Sequence, residues 1–244
     1  MKQSFFTIIK NEHLTSTVHR MVLEGDTSAI TKAGQFINIK LEGFFLRRPI
    51  SVCDYDEHTL TIVYKVVGKG TTLMSQLPKG VCLDILTGLG NGYDTKKSGT
   101  HPLLVGGGVG IPPMYRLAKN LLAKGASPTV ILGFNTENEA FYVEEFRELG
   151  VDVLLATADG SLGECGFVTD IVKKQTGYSY FYTCGPEAML KALSQATNTS
   201  GQLSFEERMG CGFGACMGCS CQTKYGNKRI CKDGPVLEKE EILW

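Results

Sequence analysis

The chain has 244 residues, with 25 Lys and Arg against 25 Asp and Glu, so its formal charge at pH 7 is zero. That balance leaves no electrostatic footprint for general nucleic-acid binding or a polybasic membrane contact. With 43% hydrophobic and 20% charged residues it can build sizeable cores, its length suits two compact domains, and no apolar run reaches the roughly 18 residues of a membrane span.

Residues 1–99 read as strands. The opening Met1–Leu14 has neither a long apolar stretch nor a small-residue cleavage site, so no secretory signal is expected. Gln35–Leu41, Thr59–Val67 and Val81–Leu86 alternate apolar and polar residues with period two between Gly-, Asp- and Asn-containing turns. That pattern predicts an antiparallel barrel or sandwich. Within it, Arg48-Pro49-Ile50-Ser51 has the chemistry to grip a diphosphate or a flavin edge, although paired arginines in a loop are also commonly solvated. Tyr64, in Val63-Tyr64-Lys65, reads equally as a stacking surface or as barrel core. Gly70-Thr71 opens a helix whose free amides suit phosphate.

The pattern changes near His101. Leu103–Val105, Thr129–Phe134, Val151–Thr157, Ser179–Thr183 and 202–206 read as strands, alternating with helices at 112–124, 140–149, 167–176 and 186–197. This alternation predicts a doubly wound parallel α/β domain over residues 100–206. Its first strand runs into Gly106-Gly107-Gly108-Val109-Gly110-Ile111-Pro112-Pro113, which is neither the G-x-G-x-x-G fingerprint nor a phosphate-binding Walker loop. It predicts a ligand at a strand–helix turn. Cys184-Gly185-Pro186 ends a later strand at the same edge, where a dinucleotide would lie. Cys184 reads either as a neighbour of the nicotinamide or as a packed strand end. Asn135, Thr136 and Glu137 include no cation for a 2′-phosphate, which leans to NAD.

Residues 207–244 form a third, small module. Of nine Cys, five fall between Cys211 and Cys231. The odd count and the clustering argue against a disulfide framework and for a reducing, cytoplasmic setting with thiols used for metal. Four residues separate Cys211 from Cys216, two separate Cys216 from Cys219, and Cys231 follows. This is plant-type spacing for a [2Fe–2S] cluster held by four thiolates, and Gly210, Gly212, Gly214 and Gly218 let the loop wrap tightly. A zinc site is the rival, although zinc usually takes two C-x2-C pairs. Cys221 reads as a packed residue or a fifth ligand, and Cys53, Cys82 and Cys165 as packing residues. His13, His19, His58 and His101 are scattered, read as surface residues, and supply no acid–base dyad; no catalytic side chain is assigned.

Arg-Pro-Ile-Ser, Gly-Thr, Gly-Gly-Gly-Val-Gly-Ile-Pro-Pro and Cys-Gly-Pro occur in an order that resembles the ferredoxin–NADP reductase superfamily. With Leu89-Gly-Asn-Gly, the cysteine loop and Lys232-Asp-Gly-Pro, the whole chain resembles the electron-transfer subunits of NAD-dependent (class 1B) dihydroorotate dehydrogenases. Cys53, just after the flavin motif, departs from the apolar residue expected there. The resemblance implies FAD held by Arg48, Pro49, Ile50, Ser51, Val63, Tyr64, Lys65, Gly70 and Thr71. It implies NAD at Gly106, Gly107, Gly108, Gly110, Cys184, Gly185 and Pro186, and a cluster on Cys211, Cys216, Cys219 and Cys231. It also implies an FMN-containing catalytic partner in a heterotetramer of two copies of each chain, with electrons passing from that FMN through cluster and FAD to NAD+ in pyrimidine biosynthesis. A hydride carries two electrons and the cluster one, so a flavin must stand between them. The alternatives are a reductase subunit serving a ferredoxin-, sulfur- or hydrogenase-linked partner, or a zinc-binding adaptor.

Overall fold

The computed structural model describes residues 1–244. Alternating side chains build six strands: β1 (Lys2–His13), β2 (Val18–Gly25), β3 (Phe36–Ile39), β4 (Arg48–Tyr55), β5 (Thr59–Lys65) and, after helix α1 (Lys69–Gln76), β6 (Cys82–Leu89). They close into an antiparallel barrel in the order β1-β2-β5-β4-β3-β6. Phe6, Ile8, Met21, Leu23, Ile37, Leu60 and Ile62 fill its interior. Every second residue points inward, as the pleat requires.

The chain then alternates: β7 (Leu103–Gly107), α2 (Ile111–Leu122), β8 (Thr129–Phe134), α3 (Val143–Glu148), β9 (Asp152–Thr157), the short β10 (Glu164–Cys165), α4 (Val168–Val172), β11 (Phe181–Cys184), α5 (Glu187–Ala196) and β12 (Gly201–Ser204). In α2, Pro112 and Pro113 occupy the first turn, where a missing N–H costs nothing. Its apolar face of Met114, Leu117, Ala118 and Leu121 is buried. The helices expected at 140–149 and 167–176 are shorter in the structure. A 3-10 turn takes Glu137–Glu139 before α3 begins, and α4 stops at Val172.

The tail adds a hairpin, β13 (Ser220–Thr223) with β14 (Gly226–Arg229), and then β15 (Val236–Glu238). The large sheet has seven strands in the order β10-β9-β8-β7-β11-β12-β15. Only β15 runs antiparallel, on β12, so the tail returns to the sheet and completes its edge. Asn91 secures that return: its amide nitrogen donates to the carbonyls of Asp233 and Val236, and its oxygen accepts from Val236 N. Leu89-Gly-Asn-Gly and Lys232-Asp-Gly-Pro therefore meet in space.

Three sequence readings are corrected. His19 is 3% exposed, inside one end of the barrel, with its ring 4.0 Å from that of His13. Its inward side follows from its place two residues before Met21 on β2. Cys82 and Cys165 are exposed, and of the three expected to pack only Cys53 does so.

Candidate cofactor sites and the family of the chain

A seam opens in the barrel wall between β4 and β5. The two strands pair from Tyr55↔Leu60 to Val52↔Ile62, with a bulge before Asp54. Beyond that point Arg48, Pro49, Ile50 and Ser51 pair only with β3, and Val63, Tyr64 and Lys65 only with β2. Their facing backbone edges are free, which is where a flat polar ring system can take hydrogen bonds from both strands. The N-terminus of α1 lies beside the seam. Thr71 Oγ1 accepts from Val67 N at 2.9 Å and Gly68 N at 3.2 Å, fixing the turn that presents the first amides of the helix.

Arg48 and Gly70 meet at this point. A Cβ on Gly70 would collide with the Arg48 guanidinium. The guanidinium stands 4.6 Å from the centre of the Phe44 ring. A cation next to free helix amides is suited to an anion such as a diphosphate. Arg47, by contrast, is committed to structure. It makes a two-pronged pair with the Asp84 carboxylate at 2.9–3.0 Å and donates to the Asp84 carbonyl. The Arg47 hydrogen bonds hold the Asp84 carboxyl below its ordinary range. Of the two readings of Tyr64, the structure takes the barrel core. The ring is 2% exposed, stacks on His19 at 5.6 Å, and its hydroxyl reaches Asn11 Oδ1 at 3.2 Å. Tyr64 can therefore offer a ligand its backbone but not its ring face.

The two glycine turns are neighbours. β7 and β11 lie side by side in parallel register, Val105↔Thr183 and Gly106↔Cys184. Strand order reverses between them, β8 lying on one side of β7 and β11 on the other. That is the switch point at which open α/β sheets bind ligands. Gly108 has φ +51. A Cβ on Gly110 would strike the Cys184 carbonyl, and a Cβ on Gly185 would stand 3.3 Å from the Gly107 Cα. Only glycine allows the two backbones to come so close. Burial pushes the Cys184 thiol up to about 12, so it is a neutral side chain here rather than a thiolate nucleophile. The Gly108–Gly110 turn rests against β5, which brings the switch point up to the barrel seam.

The cysteine loop stands against β3, on the other flank of the seam. Asn38 on β3 donates its amide to the Cys211 carbonyl at 3.2 Å, and Gly212 packs on that amide with φ +79. Asn38 lies directly across from Pro49. Arg229 holds the loop from below, donating to the Gly214 carbonyl at 2.9 Å while paired with Asp233 at 3.0 Å. The amides of Ala215 and Cys216 point at Cys211 Sγ at 3.2 and 3.4 Å, and Cys231 N points at Cys219 Sγ at 3.4 Å. Burial opposes ionisation of Cys211, but the amides of Cys216, Phe213 and Ala215 outweigh it and bring the thiol down to about 6. Burial, reinforced by adjacent Cys219, pushes Cys231 up to about 12.

Cys211 thus neighbours Cys216, and Cys219 neighbours Cys231. Two thiol pairs with amides aimed at sulfur are the donor set for two irons bridged by sulfide. Cys221, on β13, packs against the same apolar cluster as Cys211.

Relatives agree with this arrangement. Residues 206–243 match the family described as "Iron-sulfur cluster binding domain of dihydroorotate dehydrogenase B", and residues 104–195 match "Oxidoreductase NAD-binding domain". The chain is 31% identical to a chain from a structure of an NADH-dependent reduced ferredoxin–NADP oxidoreductase, with a TM-score of 0.89 over 98% of this chain and 90% of that one. A ferredoxin NADP+ reductase from Neisseria gonorrhoeae shares the fold at 18% identity, with a TM-score of 0.70 over 80% of this chain and 90% of that one. Barrel, switch point and cysteine loop together define an NAD-linked oxidoreductase subunit built on the ferredoxin reductase fold.

The similarity narrows further along the full length. The chain is 41% identical over 255 residues to "Dihydroorotate dehydrogenase B (NAD(+)), electron transfer subunit" of Bacillus pumilus (strain SAFR-032), covering 99% of this chain and 98% of that protein. It is 40% identical over 256 residues to the protein of that name in Geobacillus sp. (strain WCH70), covering 100% and 99%. The chain belongs to the family of dihydroorotate dehydrogenase B (NAD(+)) electron transfer subunits.

Three features of these sites escaped sequence reading: Asn38 as the link between cysteine loop and barrel, Arg229 as the loop's clamp, and the parting of β4 from β5. The first two are lone polar residues with no motif. The third depends on where a ladder stops, which no local pattern encodes.

Proposed function

We propose that the chain accepts electrons withdrawn from dihydroorotate by an FMN-containing catalytic partner and delivers them to NAD+, as part of pyrimidine biosynthesis. The partner and this chain form a heterotetramer with two copies of each, in the cytoplasm. In this reading residues 1–99 hold FAD, 100–206 hold NAD and 207–244 hold a [2Fe–2S] cluster.

When bound, the cluster carries single electrons, the flavin one or two, and nicotinamide a hydride. The protein's part is placement. Cys211, Cys216, Cys219 and Cys231 ligate the cluster. Arg48 and the amides of Gly70 and Thr71 hold the flavin diphosphate, while the backbone edges of Pro49, Ile50, Ser51 and of Val63, Tyr64 and Lys65 meet the ring system. Gly106, Gly107, Gly108 and Gly110, with Cys184, Gly185 and Pro186, let NAD lie close to the sheet edge. No side chain acts as acid or base, since hydride transfer depends on orientation.

The observation that carries this reading is spatial order. The Cys211 loop touches Asn38, Asn38 faces Pro49 across one strand spacing, and the glycine turn rests on β5 at the far side of the seam. That order supports the reading, since electrons passing from cluster to flavin to nicotinamide need the three places arranged so. Co-purification tests it. A partner that contains FMN and oxidises dihydroorotate supports the reading. A partner that reduces ferredoxin instead supports the second reading, which the 31% identity to the ferredoxin–NADP oxidoreductase chain favours. The full-length identity near 40% and the match of the cysteine module weigh toward the first.

A further inference from the structure

Strand β4 and helix α2 each carry one of the proposed cofactor segments at one end, and a cluster of charges joins them farther along. Asp54 accepts from Arg116 Nη1 at 3.0 Å and from Lys119 Nζ at 2.6 Å. The Arg116 guanidinium lies 4.0 Å over the Tyr55 ring and also donates to the Tyr55 carbonyl. Asp54 and Arg116 are each only 22% exposed. One carboxylate thus holds two cations from the facing domain, partly shielded from water, a setting in which ion pairs keep more of their strength than at an open surface.

A second tie lies beside it. Arg20 on β2 reaches Glu145 on α3 at 3.6 Å while held by Glu12 at 2.7 Å. Between the two ties the barrel and the α/β domain share one apolar core that includes Val18, Cys53 and Val63 with Met114 and Leu117. Apolar packing supplies adhesion but fixes orientation weakly. Directional charge contacts fix it strongly.

The lever lengths are short and similar. Ser51 precedes Asp54 by three residues of strand, about 10 Å. Gly110 precedes Arg116 by six residues of helix, about 9 Å. A shift at the clamp therefore reaches the seam and the glycine turn nearly undiminished.

We infer that Asp54, gripped by Arg116 and Lys119, is a positioning residue that sets the register of the nicotinamide turn against the flavin seam. It touches neither cofactor. Its effect falls on the hydride step, because a misplacement of about 1 Å there costs up to about 100-fold. The inference rests on the reading of FAD in the seam and NAD at the glycine turns.

The test uses the full chain with its cofactors and three variants: Asp54→Asn, Lys119→Met and the conservative Asp54→Glu. Rapid mixing with NADH under argon reads flavin bleaching. Equilibrium titration reads NAD affinity. Hydrogen exchange over α2 and β4 in the cofactor-loaded chain reads the clamp itself. The expected result is a fall of about tenfold or more in flavin reduction for Asp54→Asn, with NAD affinity within about threefold, faster exchange confined to α2 and β4, and partial recovery in Asp54→Glu. Lys119→Met keeps the Arg116 contact and lies between, so it carries the test if Asp54→Asn does not fold. Flavin reduction within twofold of the unaltered chain, despite loosened exchange, overturns the inference. So does a rate loss matched by an equal loss of NAD affinity. Wild-type protein that binds no flavin overturns the underlying reading instead, and the two failures are distinct.

Discussion

The Asn38 side chain donates to the Cys211 carbonyl at 3.2 Å, from a position directly opposite Pro49. One amide therefore joins the cysteine loop to the strand pair that lines the barrel seam. Asn38 is 1% exposed, and its oxygen has no partner.

Replacing Asn38 with Ala removes that anchor. The expected loss is about 1 kcal/mol, a roughly fivefold rise in the undocked loop. Iron should leave the protein faster under a chelator, and electron exchange between cluster and flavin should slow, while NADH-driven flavin reduction stays unchanged. Chelator kinetics and rapid mixing check both arms.

Gly70→Ala offers a sharper separation. Gly70 is the second residue of α1, where alanine is no worse a helix former than glycine and the atoms it meets belong to a flexible side chain, so the flavin-free protein should melt close to the unaltered one. The new methyl group must displace the Arg48 guanidinium. Flavin affinity should fall about tenfold, roughly 1.4 kcal/mol. Calorimetric titration of flavin-free protein with FAD, beside its melting curve, reads both outcomes.

Gly110→Ala drives a methyl group into the Cys184 carbonyl, which is fixed backbone. Overpacking of this kind costs about 1–3 kcal/mol. NAD binding and NADH-driven flavin reduction should be lost, with flavin and iron content retained. Retained NAD affinity would show that the two glycine turns need not approach so closely.

The Arg47–Asp84 pair predicts a pH dependence. The Asp84 pKa is lowered in the fold, chiefly by Arg47. Its stabilisation is complete above the unfolded carboxylate value near 3.9 and is lost as pH falls through the folded value. An Arg47→Met variant should be less stable by about 2 kcal/mol at pH 7, and its deficit should shrink as pH falls below about 4. Denaturant melts of both proteins between pH 7 and pH 3 measure the difference.

Local patterns carried much of the architecture. Period-two alternation marked the barrel strands, alternation of strands with helices marked the doubly wound sheet, and cysteine spacing marked the module that gives two thiol pairs. What stayed hidden depends on long-range register. His19 reads as one polar residue in a strand, and only its pairing with His13 and Tyr64 across the barrel end shows why it is buried. Cys82 and Cys165 look like packing residues by type, yet each falls on an exposed strand position. Asp54 and Arg116 stand 62 residues apart, so nothing short of the fold announces their clamp. Arg47 and Arg48 are adjacent and alike in type, but Arg47 lies just before β4 and turns to Asp84, while Arg48 opens the strand and turns to Gly70.

The most direct measurement is anaerobic purification of the chain, assay of iron, acid-labile sulfide and flavin, and titration with NADH while the visible spectrum is recorded. The account predicts about two iron and two sulfide with bound FAD, and NADH that bleaches flavin and cluster together. A colourless protein carrying zinc, without iron or flavin, would contradict it.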